Sequence, residues 1–166
     1  MNFKERLTQI KAFAFDVDGV FSQECIYLHP SGELMRSMNT KDGYAVVHAI
    51  EKGYKIAIIT GGANVSVRKR FEYLRVKDIY QSSDDKLRDL KHFAERYQLN
   101  AKQILYMGDD IVDYEAMQSV GVPACPADAV EEIKSISRYI SDKNGGRGCV
   151  RDVIEQVMRS QAKWYS

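Results

Sequence analysis

Three four-residue apolar runs, Ala12-Phe13-Ala14-Phe15, Ile56-Ala57-Ile58-Ile59 and Ile104-Leu105-Tyr106-Met107, each stop abruptly at a polar cluster. Runs this short and this continuously apolar suit strands buried on both faces, as in a parallel sheet covered by helices. The segments between them carry the helical period instead. Residues 64–74 place Val67, Phe71 and Leu74 on one face, and residues 86–97 repeat the pattern with Leu87, Leu90, Phe93, Ala94 and Tyr97. Helices over 43–52 (ended by Gly53), 129–135 and 150–163, with a short strand at Tyr139-Ile140, complete an alternation of strand and helix. The expected fold class is α/β, a Rossmann-like parallel sheet in a three-layer domain spanning 1–166. One stretch differs: Ile26-Tyr27-Leu28, the turn-like His29-Pro30-Ser31-Gly32, and 33–38 read as a β-hairpin flap.

Ligand sites of parallel sheets gather at the carboxyl ends of the strands, which is where the polar clusters fall. The first run ends in Asp16-Val17-Asp18-Gly19, the second in Thr60-Gly61-Gly62, and the third in Gly108-Asp109-Asp110 with Asp113 one helical turn on; Lys86 opens the helix after Ile79-Tyr80. Two carboxylates at one strand end concentrate negative charge, which costs free energy unless a cation neutralises it or one acid keeps a proton. A calcium loop would need oxygen ligands at alternating positions and a closing Glu, and Val20, Phe21 and Cys25 break that pattern. Taken singly, Thr60 reads as a helix-initiating threonine, Lys86 as a solvated lysine, and Asp109-Asp110 as a negative helix start. Four such groups in order at four element ends are what removes those readings.

Composition excludes other classes. The chain has 166 residues, 45% hydrophobic and 28% charged, enough for a substantial core. A net charge of +1 offers no basic stripe for nucleic acid, and no apolar run is long enough to span a membrane. Residues 1–11 are charged throughout, unlike a secretory signal, so a cytoplasmic location is expected. Cys25, Cys125 and Cys149 lack the Cys-x-x-Cys spacing of zinc sites and read as reduced thiols.

The four clusters resemble the motifs of the haloacid dehalogenase superfamily of phosphotransferases: Asp16-Val17-Asp18-Gly19, Thr60, Lys86, and Gly108-Asp109-Asp110-Ile111-Val112-Asp113. The resemblance implies phosphoryl transfer. A phosphomonoester dianion repels a carboxylate nucleophile, so a hard cation must screen the approach, and Mg2+ suits an oxygen-only site. By resemblance, Asp16 is the nucleophile that forms an aspartyl-phosphate, and Asp18 is the acid and then the base. Thr60 and Lys86 bind the phosphoryl group. Mg2+ is held by Asp16, the Asp18 carbonyl and Asp109, with Asp110 and Asp113 behind them. A receiver domain of a two-component switch also uses an acid cluster, a Thr and a Lys. There, however, the acid pair comes first and the phosphorylated Asp later, the reverse of the order here. A catalytically silent assembly module is the remaining alternative.

Between Asp18 and Thr60, and between Thr60 and Lys86, the chain has no room for the cap domain that many members insert. An open cleft of this kind implies a large substrate or closure by another subunit. Phe15-Asp16-Val17-Asp18-Gly19-Val20, His29-Pro30-Ser31-Gly32, Asn39-Thr40-Lys41-Asp42-Gly43-Tyr44 and Gly145-Gly146-Arg147-Gly148 are together similar to the capless 3-deoxy-D-manno-octulosonate 8-phosphate phosphatase family. That resemblance implies a sugar-acid phosphate substrate and a homotetramer. It also implies substrate contacts from Asp18, a loop of Asn39, Lys41, Asp42 and Gly43, from Thr60, Gly61 and Lys86, and from Arg70 and Arg147. The phosphatases of nine-carbon 2-keto-sugar 9-phosphates share these motifs. Gly62 and Ala63 stand where relatives often carry a basic residue, and Lys41 where an Arg is common.

Overall fold

Phe13 and Phe15 of strand β1 (Ala12–Phe15) enter one hydrophobic core, and Ala12 and Ala14 enter a second on the opposite face. This alternation decides the layering, because successive side chains of a strand point to opposite faces. Strand β4 (Lys55–Ile59) splits the same way, with Ile56 and Ile58 on one side and Ala57 and Ile59 on the other. The computed structural model describes residues 1–165. Between β1 and β4 lie a two-stranded antiparallel hairpin, β2 (Tyr27–Leu28) and β3 (Leu34–Met35), and helix α2 (Thr40–Glu51), the short helix α1 (Phe3–Leu7) having preceded β1. Helix α3 (Val65–Tyr73), strand β5 (Asp78–Tyr80), helix α4 (Lys86–Arg96) and strand β6 (Ile104–Met107) follow. The chain ends with α5 (Tyr114–Gln118), β7 (Val122–Cys125), α6 (Glu131–Ile136), β8 (Tyr139–Ile140) and α7 (Cys149–Ser160).

Six strands form one parallel sheet in the order β5-β4-β1-β6-β7-β8, with β1 in register between Lys55–Ile58 of β4 and Ile104–Met107 of β6. Helices α1, α2, α3 and α7 cover the face that carries Phe13 and Phe15, and α4, α5 and α6 cover the other, giving the three layers expected. Phe13, Phe15, Phe21 and Phe71 have no more than 2% of their surface exposed. Each contributes about 1.5–3 kcal/mol of hydrophobic stabilisation. With β1 central, its carboxyl end is flanked by those of β4 and β6, so the topology alone brings the Asp16, Thr60 and Asp109 clusters to one edge.

Several element bounds differ from the sequence expectation, each for a local reason. Helix α2 starts at Thr40 rather than residue 43, because the Asn39 side chain accepts from the backbone N–H groups of Lys41 and Asp42 and caps the helix there. Residues expected as a loop are thus a first helical turn. Helix α6 begins at Glu131 rather than 129, and α7 runs from Cys149 to Ser160 rather than over 150–163. Strand β7 adds to the elements read from the sequence: Val122–Cys125 is buried and pairs with both neighbours. Helix α1 is only five residues long, held by a capping box between Asn2 and Glu5.

Candidate active site

Asp16 follows the last residue of β1, and its backbone N–H still donates to Met107 O of β6 at 3.1 Å. The chain then folds into a tight turn, Val17–Phe21, in which Gly19 has φ of +84°. A Cβ at Gly19 would collide with the Asp109 carboxylate, so glycine is needed here for both backbone conformation and space. From the far end of the chain, Gly145 packs directly beneath this turn. A Cβ on Gly145 would strike the Gly19 carbonyl, and Gly146 N donates to Val20 O at 2.9 Å.

Lys86, the first residue of α4, projects into the middle of the acids. Its Nζ lies 3.0 Å from Asp16 Oδ1 and 2.8 Å from Asp113 Oδ1, and all three side chains are under 9% exposed. Burial works against the ammonium, but Asp16 and Asp113 outweigh it and hold Lys86 above its ordinary value. Asp16 is pushed well above the usual carboxylate range by burial and by Asp113. Asp109 is raised to about 7 by burial, Asp113 and Asp110. Acids resist ionising when crowded out of water, and a bound cation reverses that penalty.

The donor set fits a hard divalent cation. Oxygens of Asp16, Asp109 and Asp113 lie within 4.8 Å of one another, with a single ammonium to offset three carboxylates. Asp113, however, is already committed: Oδ1 accepts from Lys86 Nζ and from Tyr106 OH at 2.8 Å, and Oδ2 from Asp109 N at 3.1 Å and Asp110 N at 3.4 Å. It orients the lysine and the Asp109 loop, while Asp16 and Asp109 keep oxygens to offer a metal. Asp110 caps the turn that follows, its Oδ1 accepting from Ile111 N at 2.7 Å.

Asp16, Asp18, Thr60, Gly61, Gly62, Lys86, Asp109 and Asp110 line one open cleft of about 550 Å³. Thr60 is held by two sheet-like bonds to the end of β5 and the residues after it, its N–H donating to Tyr80 O and its carbonyl accepting from Ser83 N. The other expected contacts lie outside this cleft. Asp42 is fully buried between α2 and α7, where Oδ1 accepts from Arg151 N at 2.9 Å, and burial raises its carboxyl to about 6. Asp42 thereby caps α7, whose preceding Gly148 has no side chain to do so. Asn39 is spent on capping α2, Gly43 packs against Arg70 and Leu74, Lys41 and Arg147 are exposed, and Ala63 is exposed beside Gly62. Asp42 and Gly43 therefore pack inside this subunit, on a stretch that is helix rather than the expected loop. Arg70 lines a separate cavity of about 300 Å³ with Arg36, Met38, Thr40, Ser66 and Val67.

Arg36 carried no sequence signal. It lies one residue past β3, and its guanidinium pairs with both oxygens of Asp18, Nη2 standing 3.0 Å from Oδ2. The hydrogen bond to Asp18 holds Arg36 above its ordinary value. Only an arginine inside a hairpin predicted to fold back over the site could have pointed to it.

A model described as haloacid dehalogenase-like hydrolase matches residues 75–154. A 3-deoxy-D-manno-octulosonate 8-phosphate phosphatase of Yersinia pestis is 33% identical over 159 residues, covering 96% of this chain and 85% of that one. Its Escherichia coli K12 counterpart is 32% identical over 154 residues, covering 93% and 82%. Among solved structures, the Moraxella catarrhalis 3-deoxy-D-manno-octulosonate 8-phosphate phosphatase in complex with a magnesium ion, a phosphate ion and a KDO molecule superposes with a TM-score of 0.92 at 31% identity, covering 96% of this chain and 91% of that one.

Proposed function

Because the chain belongs to the 3-deoxy-D-manno-octulosonate 8-phosphate phosphatase family of haloacid dehalogenase-like hydrolases, we propose that it is a Mg2+-dependent phosphomonoesterase that releases phosphate from that eight-carbon sugar acid. The observation that carries this reading is the Asp16–Lys86–Asp113 chain of charges opening onto a cleft floored by Thr60 and Asp109. Asp16 faces the cleft with its position fixed by Val17 N and Lys86 Nζ, which is what a nucleophile needs for in-line approach to phosphorus. Lys86 brings a fixed positive charge to the phosphoryl oxygens and the attacking carboxylate, and Thr60 Oγ1 donates a hydrogen bond. Asp18 protonates the departing alkoxide, then takes a proton from the water that hydrolyses the aspartyl-phosphate. Asp16, Asp109 and the Asp18 carbonyl would hold Mg2+, which when bound supplies the charge that lets two anions meet.

The same proposal covers the assembly and the setting. Tyr27, Leu28 and Met35 of the hairpin, with Ile26 beside it, expose apolar surface next to an open cleft, a surface that a second copy would bury in a homotetramer. No helix among the described residues is long and apolar enough to cross a membrane. All three cysteines are free, which accords with a cytoplasmic setting. Residues 1–166 act as one catalytic unit, and Arg70 and Arg147 reach substrate across subunit boundaries, since neither lines the cleft of its own chain. The test is Mg2+-dependent phosphate release from a panel of sugar-acid phosphates. The eight-carbon 8-phosphate should have the highest kcat/KM. A higher value for the nine-carbon 9-phosphate would move the assignment to the sibling substrate, and release from neither would end it.

A further inference from the structure

The geometry points to Arg36 as the residue that positions Asp18 for proton transfer, an inference that rests on the phosphatase reading above. All three guanidinium nitrogens are committed. Nε and Nη2 take the two oxygens of Asp18, and Nη1 donates to Asn64 Oδ1 and to Leu34 O, each at 2.9 Å. The Arg36 side chain is only 6% exposed while that of Asp18 is 41% exposed, so a buried fork presents an accessible carboxylate. A two-pronged pair fixes the plane of the carboxylate as well as its distance, which a single hydrogen bond does not.

The bracing behind Arg36 separates this pair from an incidental surface contact. Asn64 stands at the N-cap of α3, yet its side chain makes no cap bond; Oδ1 goes to Arg36 and Nδ2 to Leu34 O at 3.3 Å. The helix forgoes a cap that asparagine ordinarily supplies. Asn64 O in turn accepts from Gln81 Nε2 at 2.9 Å. Arg36 is thus fixed to both the hairpin and the turn that follows Thr60. Ser22 Oγ adds a second restraint on Asp18 Oδ1 at 3.2 Å.

Asp18 acts when the bond between phosphorus and the bridging oxygen breaks. Both prongs suit the ionised carboxylate, so the Asp18 oxygen that takes up a proton from solvent releases its guanidinium N–H while the other prong keeps the group in place. The Asp16 oxygen then bonds to phosphorus, the bridging oxygen keeps the bond's electron pair, and the Asp18 carboxyl passes that proton to it. An alkoxide leaving group needs this proton and a nitrophenolate does not, so misplacing Asp18 should penalise alkyl esters selectively. Arg36 acts only through Asp18, without touching the reacting atoms.

The experiment measures kcat/KM, which reports steps through leaving-group departure, for 4-nitrophenyl phosphate and for the primary alkyl phosphate of the panel that the wild type cleaves fastest. Arg36→Met should lower the alkyl value at least tenfold and the aryl value less than threefold, mirroring Asp18→Asn. The double variant should match Asp18→Asn alone within about twofold. Arg36→Lys, which keeps the charge without the fork, should fall between wild type and Arg36→Met, and it serves as the probe if the methionine variant does not fold. Equal losses on both esters, or losses that multiply in the double variant, would overturn the inference and leave the phosphatase reading standing. A wild type that cleaves no alkyl phosphate would overturn both.

Discussion

Lys86 Nζ sits 3.0 Å from Asp16 Oδ1 with both side chains under 9% exposed, so the nucleophile and its counter-charge form one buried unit. The two deletions differ in consequence.

Asp16→Asn keeps the Oδ1 acceptor that receives Val17 N at 2.7 Å and removes the nucleophile. Turnover should fall by at least about a thousandfold while the thermal midpoint moves by only a few degrees. Phosphate release and a calorimetric scan on the same preparation check this. Activity near wild type would refute the nucleophile assignment.

Lys86→Met leaves Asp16 and Asp113 buried and facing each other without a cation. The metal-free protein should lose about 3–5 kcal/mol, the cost of stranding buried charge. Saturating Mg2+ should restore part of it, because the ion supplies the missing positive charge. Chemical denaturation with and without Mg2+ gives both numbers.

Asp113→Asn replaces one acceptor oxygen with a donor that faces Lys86 or the Asp109 and Asp110 N–H groups. Mg2+ affinity should weaken about 10–100-fold, the usual price of removing a partner behind the ligands. Isothermal titration measures it directly.

Asp42 carries a pH signature. Its carboxyl titrates at about 6 in the folded chain and at 3.8 when unperturbed, so the folded state holds this proton more tightly than the unfolded state. Its contribution is most favourable below pH 3.8 and is lost as pH rises to about 6, a swing on the order of 2–3 kcal/mol. Asp42→Asn should abolish that slope, so the stability of wild type relative to the variant should decline between pH 4 and 7. Urea midpoints across this range test the sign, and parallel curves would show that Asp42 does not titrate there.

The strand-end clusters were readable in the sequence because strand direction and apolar runs are local properties, and a parallel sheet converts them into a shared edge. Asp16, Thr60, Lys86 and Asp109 meet for that reason. Arg36 was not readable, since its role depends on where a two-residue hairpin strand lands. Asn39-Thr40-Lys41-Asp42-Gly43 shows the opposite limit. The resemblance suggested a binding loop, but an asparagine cap drew the stretch into α2, and Asp42 went inward to close α7. Strand β7 went unread because Val122–Cys125 is short and contains Pro123, which lacks a backbone N–H for pairing, although it lies between β6 and β8.

The wedge of Gly145 beneath Gly19 joins the first strand of the sheet to the loop before the last helix. A chain emerging from the ribosome makes Asp16 early but cannot brace its turn until residue 145 has been synthesised. The support of the Asp16 turn is therefore completed only after all six strands of the sheet have been synthesised.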